Sequence, residues 1–328
     1  MFIKIIYTVL FICVFTINLK AQNNSDVKIS DRDLPEITKP NLNGHNFIIT
    51  SSFKGPFIST SIKTLLGAGQ TLGLELPAVR LDTFTLNRDI GSILITSLDV
   101  EYEAQIREWL SFYLSYQIYG RLGTKTTTLV AQGVNLASGY QIGMMFKLWE
   151  KKNMLLSGTV NVSNKSYTII DLENYISGII ENGFDENDLL VYSIPSLSVL
   201  GGANYAWAID RSWGLVATLE LGYGESINKS SNDNFLINTG VSVDFDLLPR
   251  SKVPIGFNLG YYNNSFPALS GDRIGNPQNF FGQIAYTGRN DLAAGFELSY
   301  QFSKPESYNT DGKVTKFLTI YGNLKYYF

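Results

Sequence analysis

The sequence predicts an all-β protein, a transmembrane antiparallel up-and-down β-barrel of about 12 strands with long outer loops and short turns on the other side. Three observations carry this. Apolar and polar residues alternate with a period of two over many segments, as they do in strands with two unlike faces. The links between these segments are short and long in strict alternation. Hydrophobic residues make up 45% of the chain and charged residues only 17%, below the roughly 25% of soluble domains. Past the first twenty-one residues, though, no apolar run reaches the roughly 20 residues that a spanning helix needs. A barrel satisfies this combination because only every second strand residue has to face lipid.

The alternation is plainest at the C-terminus, where Leu318, Ile320, Gly322, Leu324, Tyr326 and Phe328 interleave with Thr319, Tyr321, Asn323, Lys325 and Tyr327. It recurs where Leu98, Val100, Tyr102, Ala104 and Ile106 interleave with Ser97, Asp99, Glu101, Glu103 and Gln105. Strands are expected at 57–66, 94–106, 109–122, 136–149, 153–163, 196–209, 213–224, 235–247, 253–264, 279–287, 292–303 and 315–328. Tight turns fall at Arg107-Glu108, at 150–152, at 210–212, at 248–252 and at 288–291, and every other link is long. A soluble sandwich has no reason to segregate its loops in this way. An even strand number also puts both ends of the barrel on the short-turn side, the periplasmic side of such proteins. Trp109, Trp149, Trp213, Tyr223, Tyr261, Tyr300, Tyr326 and Phe328, near strand ends, suit aromatic girdles at the two interfaces.

Upstream of the barrel, expected over 57–328, two segments differ in kind. Residues 1–21 carry Lys4, an apolar stretch from Ile5 to Ile17 and the small residue Ala21, the layout of a secretory signal peptide cut before Gln22. Cys13, the chain's single cysteine, lies within that stretch, so a processed chain forms neither a disulfide nor a thiolate metal site. Residues 22–56, rich in Asn, Asp and Pro, form either a periplasmic tail or a plug folded into the lumen. In the longest outer loop, 164–195, Leu172, Tyr175, Ile176 and Ile179 share a helical face, Thr168 and Asp171 suggest a capping box, and Gly183 suits a helix stop.

The C-terminal strand ending on Phe328 resembles the closing strand of bacterial outer-membrane barrels, and the Ala21-Gln22 junction and Tyr/Asn-rich strands are similar to those of Bacteroidota-type members. The resemblance implies the outer membrane of a Gram-negative bacterium. It also implies lipid and lipopolysaccharide as surroundings, and the barrel-assembly machinery as the reader of the last strand.

Composition narrows the chemistry. Net charge is −3, and removal of Lys4 and Lys20 would take it to −5, which does not suit a nucleic-acid partner. His45, the single histidine, sits upstream of the barrel as an ordinary polar residue, so the imidazole that hydrolases hold beside a nucleophile has no source at the outer rim. No enzymatic activity and no cofactor are expected. Asp185, Glu186 and Asp188 cluster in the long loop, but without the spacing of an EF-hand. The glycines of Gly67, Gly69 and Gly73 miss the dinucleotide spacing and are read as loop.

By parity, the charged lining of the lumen is Lys63, Asp99, Glu101, Glu103, Arg121, Lys147, Glu220, Asp244, Asp246, Glu297 and Lys325. Acids outnumber bases in this set. An open channel so lined favours small cations or neutral polar solutes, whereas a narrow barrel can equally pair these charges internally or with a plug. The sequence therefore points to a narrow channel or transporter, with a structural or surface-interaction barrel working through its outer loops as the alternative and an outer-membrane enzyme as the weakest reading.

Overall fold

The computed structural model describes residues 40–48, 50–72, 93–122, 133–170, 190–225, 234–265, 277–303 and 315–328, with short pieces at 74–75, 80–81, 84–85 and 90–91 and the single residues Tyr175 and Ile179. The expected signal peptide, the carboxylate cluster at 185–188 and most of the expected loop helix lie outside the described residues.

Twelve strands close into one antiparallel barrel in chain order. They are β1 (Ser61–Leu72), β2 (Leu94–Arg107), β3 (Leu110–Leu122), β4 (Gly133–Lys151), β5 (Met154–Ile170) and β6 (Val191–Ala208), followed by β7 (Trp213–Gly224), β8 (Asn234–Asp246), β9 (Ile255–Asn263), β10 (Gln278–Tyr286), β11 (Leu292–Ser303) and β12 (Thr315–Tyr327). The last strand seals against the first, with Lys325 opposite Lys63 and Tyr326 opposite Ile62.

The outward surface shows why this barrel belongs in lipid. Leu259 and Phe296 are 70% and 65% exposed, whereas the inward Asp244 and Glu297 are 0% and 1% exposed. A water-soluble fold would reverse that distribution. Aromatic side chains mark both ends of the outward face. Trp109 packs beside Phe146, and Trp213 beside Phe245, near the short turns; Tyr223 meets Phe235, and Tyr261 meets Phe280, near the long loops.

Local chemistry sets the turns. At the β6–β7 hairpin the Asp210 carboxylate accepts hydrogen bonds from the backbone N–H groups of Ser212 and Trp213 at 2.6 and 2.8 Å, folding the chain back through an Asx turn. The β8–β9 link contains a one-turn helix, Leu248–Ser251, that ends where Lys252 takes a left-handed conformation at φ 60°.

Several expected boundaries move. β1 starts at Ser61 and not at Phe57, and it runs through Gly67 and Gly69 to Leu72, so the glycines read as loop are strand. They lacked the side chains that make alternation visible, and they are small for a reason: a Cβ on Gly67 would stand 2.6 Å from the Tyr321 ring across the seam. β5 and β6 outrun their expected ends, because the β-branched run Thr168-Ile169-Ile170 continues the ladder opposite Val191-Tyr192-Ser193. Thr168 therefore caps no helix; its hydroxyl lies 3.1 Å from that of Ser193. Tyr175 and Ile179 are helical.

The extension leaves the β5–β6 hairpin standing above its neighbour, since pairing of β6 with β7 begins only at Ser198. Pro195, which has no N–H to give, falls on this one-sided stretch, the place where a sheet tolerates proline. Glu225 closes the step: its carboxylate accepts from the Leu197 N–H at 2.9 Å, and its backbone oxygen accepts from the Ser196 hydroxyl at 3.1 Å.

Candidate functional site

The lumen divides into two halves. In the short-turn half, residues 40–48 and 50–60 lie against inward-facing side chains of the wall. They begin as a small hairpin in which Asn41-Leu42 pairs with His45-Asn46 around Asn43 and Gly44, both with positive φ. Leu42, Phe47 and Phe53 then form one apolar cluster with Leu155, Ala206, Ala208, Val216 and Phe281 of the wall. Inward apolar residues are out of place in a water-filled lumen, and this segment is what covers them.

His45, expected as an ordinary polar residue of the tail, is fully buried and packs edge-on against Phe47 with ring centroids 4.6 Å apart. Its ring rests over Gly214 at the start of β7, where any larger residue would collide with it. Burial lowers its pKa below the usual histidine value, while the backbone of Arg211 and the nearby Asp246 and Asp210 pull the other way.

Polar anchoring is as extensive. Glu297 accepts from the Ser51 backbone N–H at 2.9 Å and the Thr50 hydroxyl at 3.1 Å, as well as from the hydroxyl of Ser51. Lys54 reaches Glu101 at 2.7 Å and Glu103 at 3.1 Å, and its ammonium stands 4.3 Å above the Tyr113 ring. Burial works against the charge on Lys54, but Glu101 and Glu103 more than offset it and hold its pKa above the ordinary lysine value. Ser157 donates to the Pro56 carbonyl at 2.5 Å.

Each residue named from the sequence as lumen lining can now be placed. Glu103, Asp244, Asp246, Glu297 and Lys325 belong to the short-turn half. Asp244 accepts from Asn258 and lies 3.4 Å from the Ile48 N–H; Asp246 accepts from Thr287 at 2.9 Å; Lys325 lies 3.7 Å from Glu103. Lys147 is at the short-turn rim, paired with Glu150 of the same strand at 2.8 Å. Arg121 has inward parity near the long-loop end of β3.

Lys63, Asp99, Glu101 and Glu220 line a cavity of about 310 Å³ in the long-loop half, floored by Ser51, Ser52, Phe53 and Lys54. Its walls are rich in phenols, amides and hydroxyls, including Tyr119, Tyr167, Tyr262, Tyr321, Gln117, Gln141, Asn238 and Asn279. Asp99 accepts from the Gln117 amide at 2.5 Å, and Glu220 from the amides of Asn238 and Asn161 at 3.1 and 3.4 Å. Lys63 donates to the Thr50 carbonyl at 3.1 Å. Two lining charges escape the sequence reading. Lys54 lies upstream of the barrel, and Lys165 lies in the part of β5 beyond its expected end; carrying the alternation of β5 two residues past Ser163 finds the second.

Comparison with known proteins yields likenesses of structure at low identity. No family model and no curated protein matches this chain. Among solved structures it is similar to the KdgM porin in complex with disordered oligogalacturonate, at 6% identity over 82% of this chain and 99% of that one, with a TM-score of 0.42. It is likewise similar to a Pseudomonas aeruginosa FadL homologue, at 12% identity over 88% and 96% of the two chains and a TM-score of 0.46. The beta domain of the Bordetella autotransporter Brka matches at 9% identity over 83% and 100%, again with a TM-score of 0.46. At such scores these likenesses carry no argument about this chain.

Proposed function

We propose that this chain is an integral outer-membrane barrel that takes up a small polar solute from the long-loop side, with residues 40–60 acting as a lumen plug that governs passage to the periplasm. The observation that carries this reading is the division of the lumen: an occupied short-turn half beneath a polar cavity of about 310 Å³. A permanently sealed structural barrel has no use for such a cavity, and an open porin has no use for the anchoring of Thr50, Ser51 and Lys54. In its setting, lipid and lipopolysaccharide surround the apolar belt, and the assembly machinery reads the last strand through Phe328.

Solute flux tests the reading. The mature protein in planar bilayers is expected to conduct poorly, and a variant lacking residues 40–56 to conduct steadily. Equal, free conductance in both overturns it. The raised β5–β6 hairpin favours a second, compatible role in contact with surface partners, and deletion of residues 171–190 is expected to abolish such contact while leaving flux unchanged.

A further inference from the structure

Resting on that reading, in which the plug floors the cavity, we propose that the cavity is a binding site for a neutral polyhydroxylated solute of one or two sugar rings. Charge is the first argument. Asp99, Glu101 and Glu220 face Lys54, Lys63 and Lys165, so no surplus of either sign selects an ion. The acid excess read from the sequence lies lower down, where Glu103, Asp244 and Glu297 hold the plug and Lys325.

The second argument is the state of those charges. Asp99 and Glu220 are held by the amides of Gln117, Asn161 and Asn238, and a carboxylate offers about four lone-pair sites, so both keep acceptor capacity toward the cavity. Lys165 stands within electrostatic reach of both and makes no ion pair among the described residues. A zwitterion would have to separate groups that already balance each other. Adjacent hydroxyls, which donate and accept at once, can bridge them with charge-assisted bonds and displace no counter-charge.

Shape is the third. The rings of Tyr119, Tyr167, Tyr262 and Tyr321 offer flat apolar faces with a polar tip, complementary to a sugar ring that is apolar on its C–H faces and polar around its edge. The volume lies at the lower end of the range for small-ligand sites, roughly 300–1,000 Å³.

Calorimetry on the detergent-solubilised mature protein tests this, with glucose and maltose as probes and glutamate, arginine and glycine betaine as charged and zwitterionic controls. Saturable heat is expected with at least one sugar and with none of the controls. Asp99→Asn, which removes a charge-assisted contact, and Tyr119→Ala, which removes an aromatic face, are each expected to weaken it about tenfold, while the folded form persists on unheated gels. Binding of a control in place of the sugars, or no sugar binding at tens of millimolar, overturns the proposal. Sugar binding without any effect of plug deletion on conductance would instead sink the plug reading and leave the site standing.

Discussion

Lys54, upstream of the first strand, stands 3.1 Å from Glu103 of β2, whose side chain is almost wholly buried, and bonds Glu101 at 2.7 Å with the same ammonium. One cation from outside the wall thus bridges two carboxylates of β2, of which Glu103 is also held by Ser111 and Lys325 of the wall. Lys54→Met is therefore expected to weaken docking of residues 40–60 by about 1–3 kcal/mol, since Glu101 and Glu103 lose their bridging ammonium while Glu103 keeps Ser111 and Lys325. Single-channel recording should show frequent openings, partly suppressed when Glu101→Gln is added.

Acidification acts on the same segment through His45. Its pKa is lowered in the docked state, so above about pH 6.5 the imidazole is neutral both docked and free, and the proton contributes nothing. Below that pH the free segment takes up a proton that the docked one resists, and docking weakens as pH falls. Openings are expected to increase between pH 7.5 and 5.5. His45→Gln should flatten that dependence, and an unchanged pH profile in the variant would show that other groups are responsible.

Close approach of backbone to ring supplies a third expectation. A Cβ on Gly240 would stand 2.8 Å from Phe53, so Gly240→Val should displace the plug crest at a cost of about 1–3 kcal/mol while the barrel stays folded. Protease sensitivity confined to residues 40–60 would report it.

The membrane assignment is open to direct measurement. Phe296→Arg places a guanidinium on the lipid face and is expected to cost about 2–4 kcal/mol in urea titrations of vesicle-inserted protein. A cost near zero would mean that this face meets water.

What could be read from the chain, and what could not, follows from the range of the interactions. Period-two alternation is local, so the β7 and β11 bounds and the short turns were visible directly. It failed where side chains vanish, at Gly67 and Gly69, and where Phe57 and Ile58 imitate a strand start. The contacts of Thr50 and Ser51 with Glu297 span more than two hundred residues, and no local pattern reports them. A faint signal did exist. Ala206, Ala208 and Val216 are apolar at inward parity, which is unexplained until something apolar sits in the lumen. The cavity was half legible: its acids were found, but Lys54 and Lys165 were not, and the expected charge surplus went with them.

The seam between β12 and β1 sets Lys325 directly across from Lys63, two like charges in register. Facing cations repel, so this joint is disfavoured unless the carboxylates of β2 already stand beside it. The closing joint is thus electrostatically a matter of three strands and not two: Glu101 opposite Lys63 and Glu103 beside Lys325 are what let the first and the last strand meet.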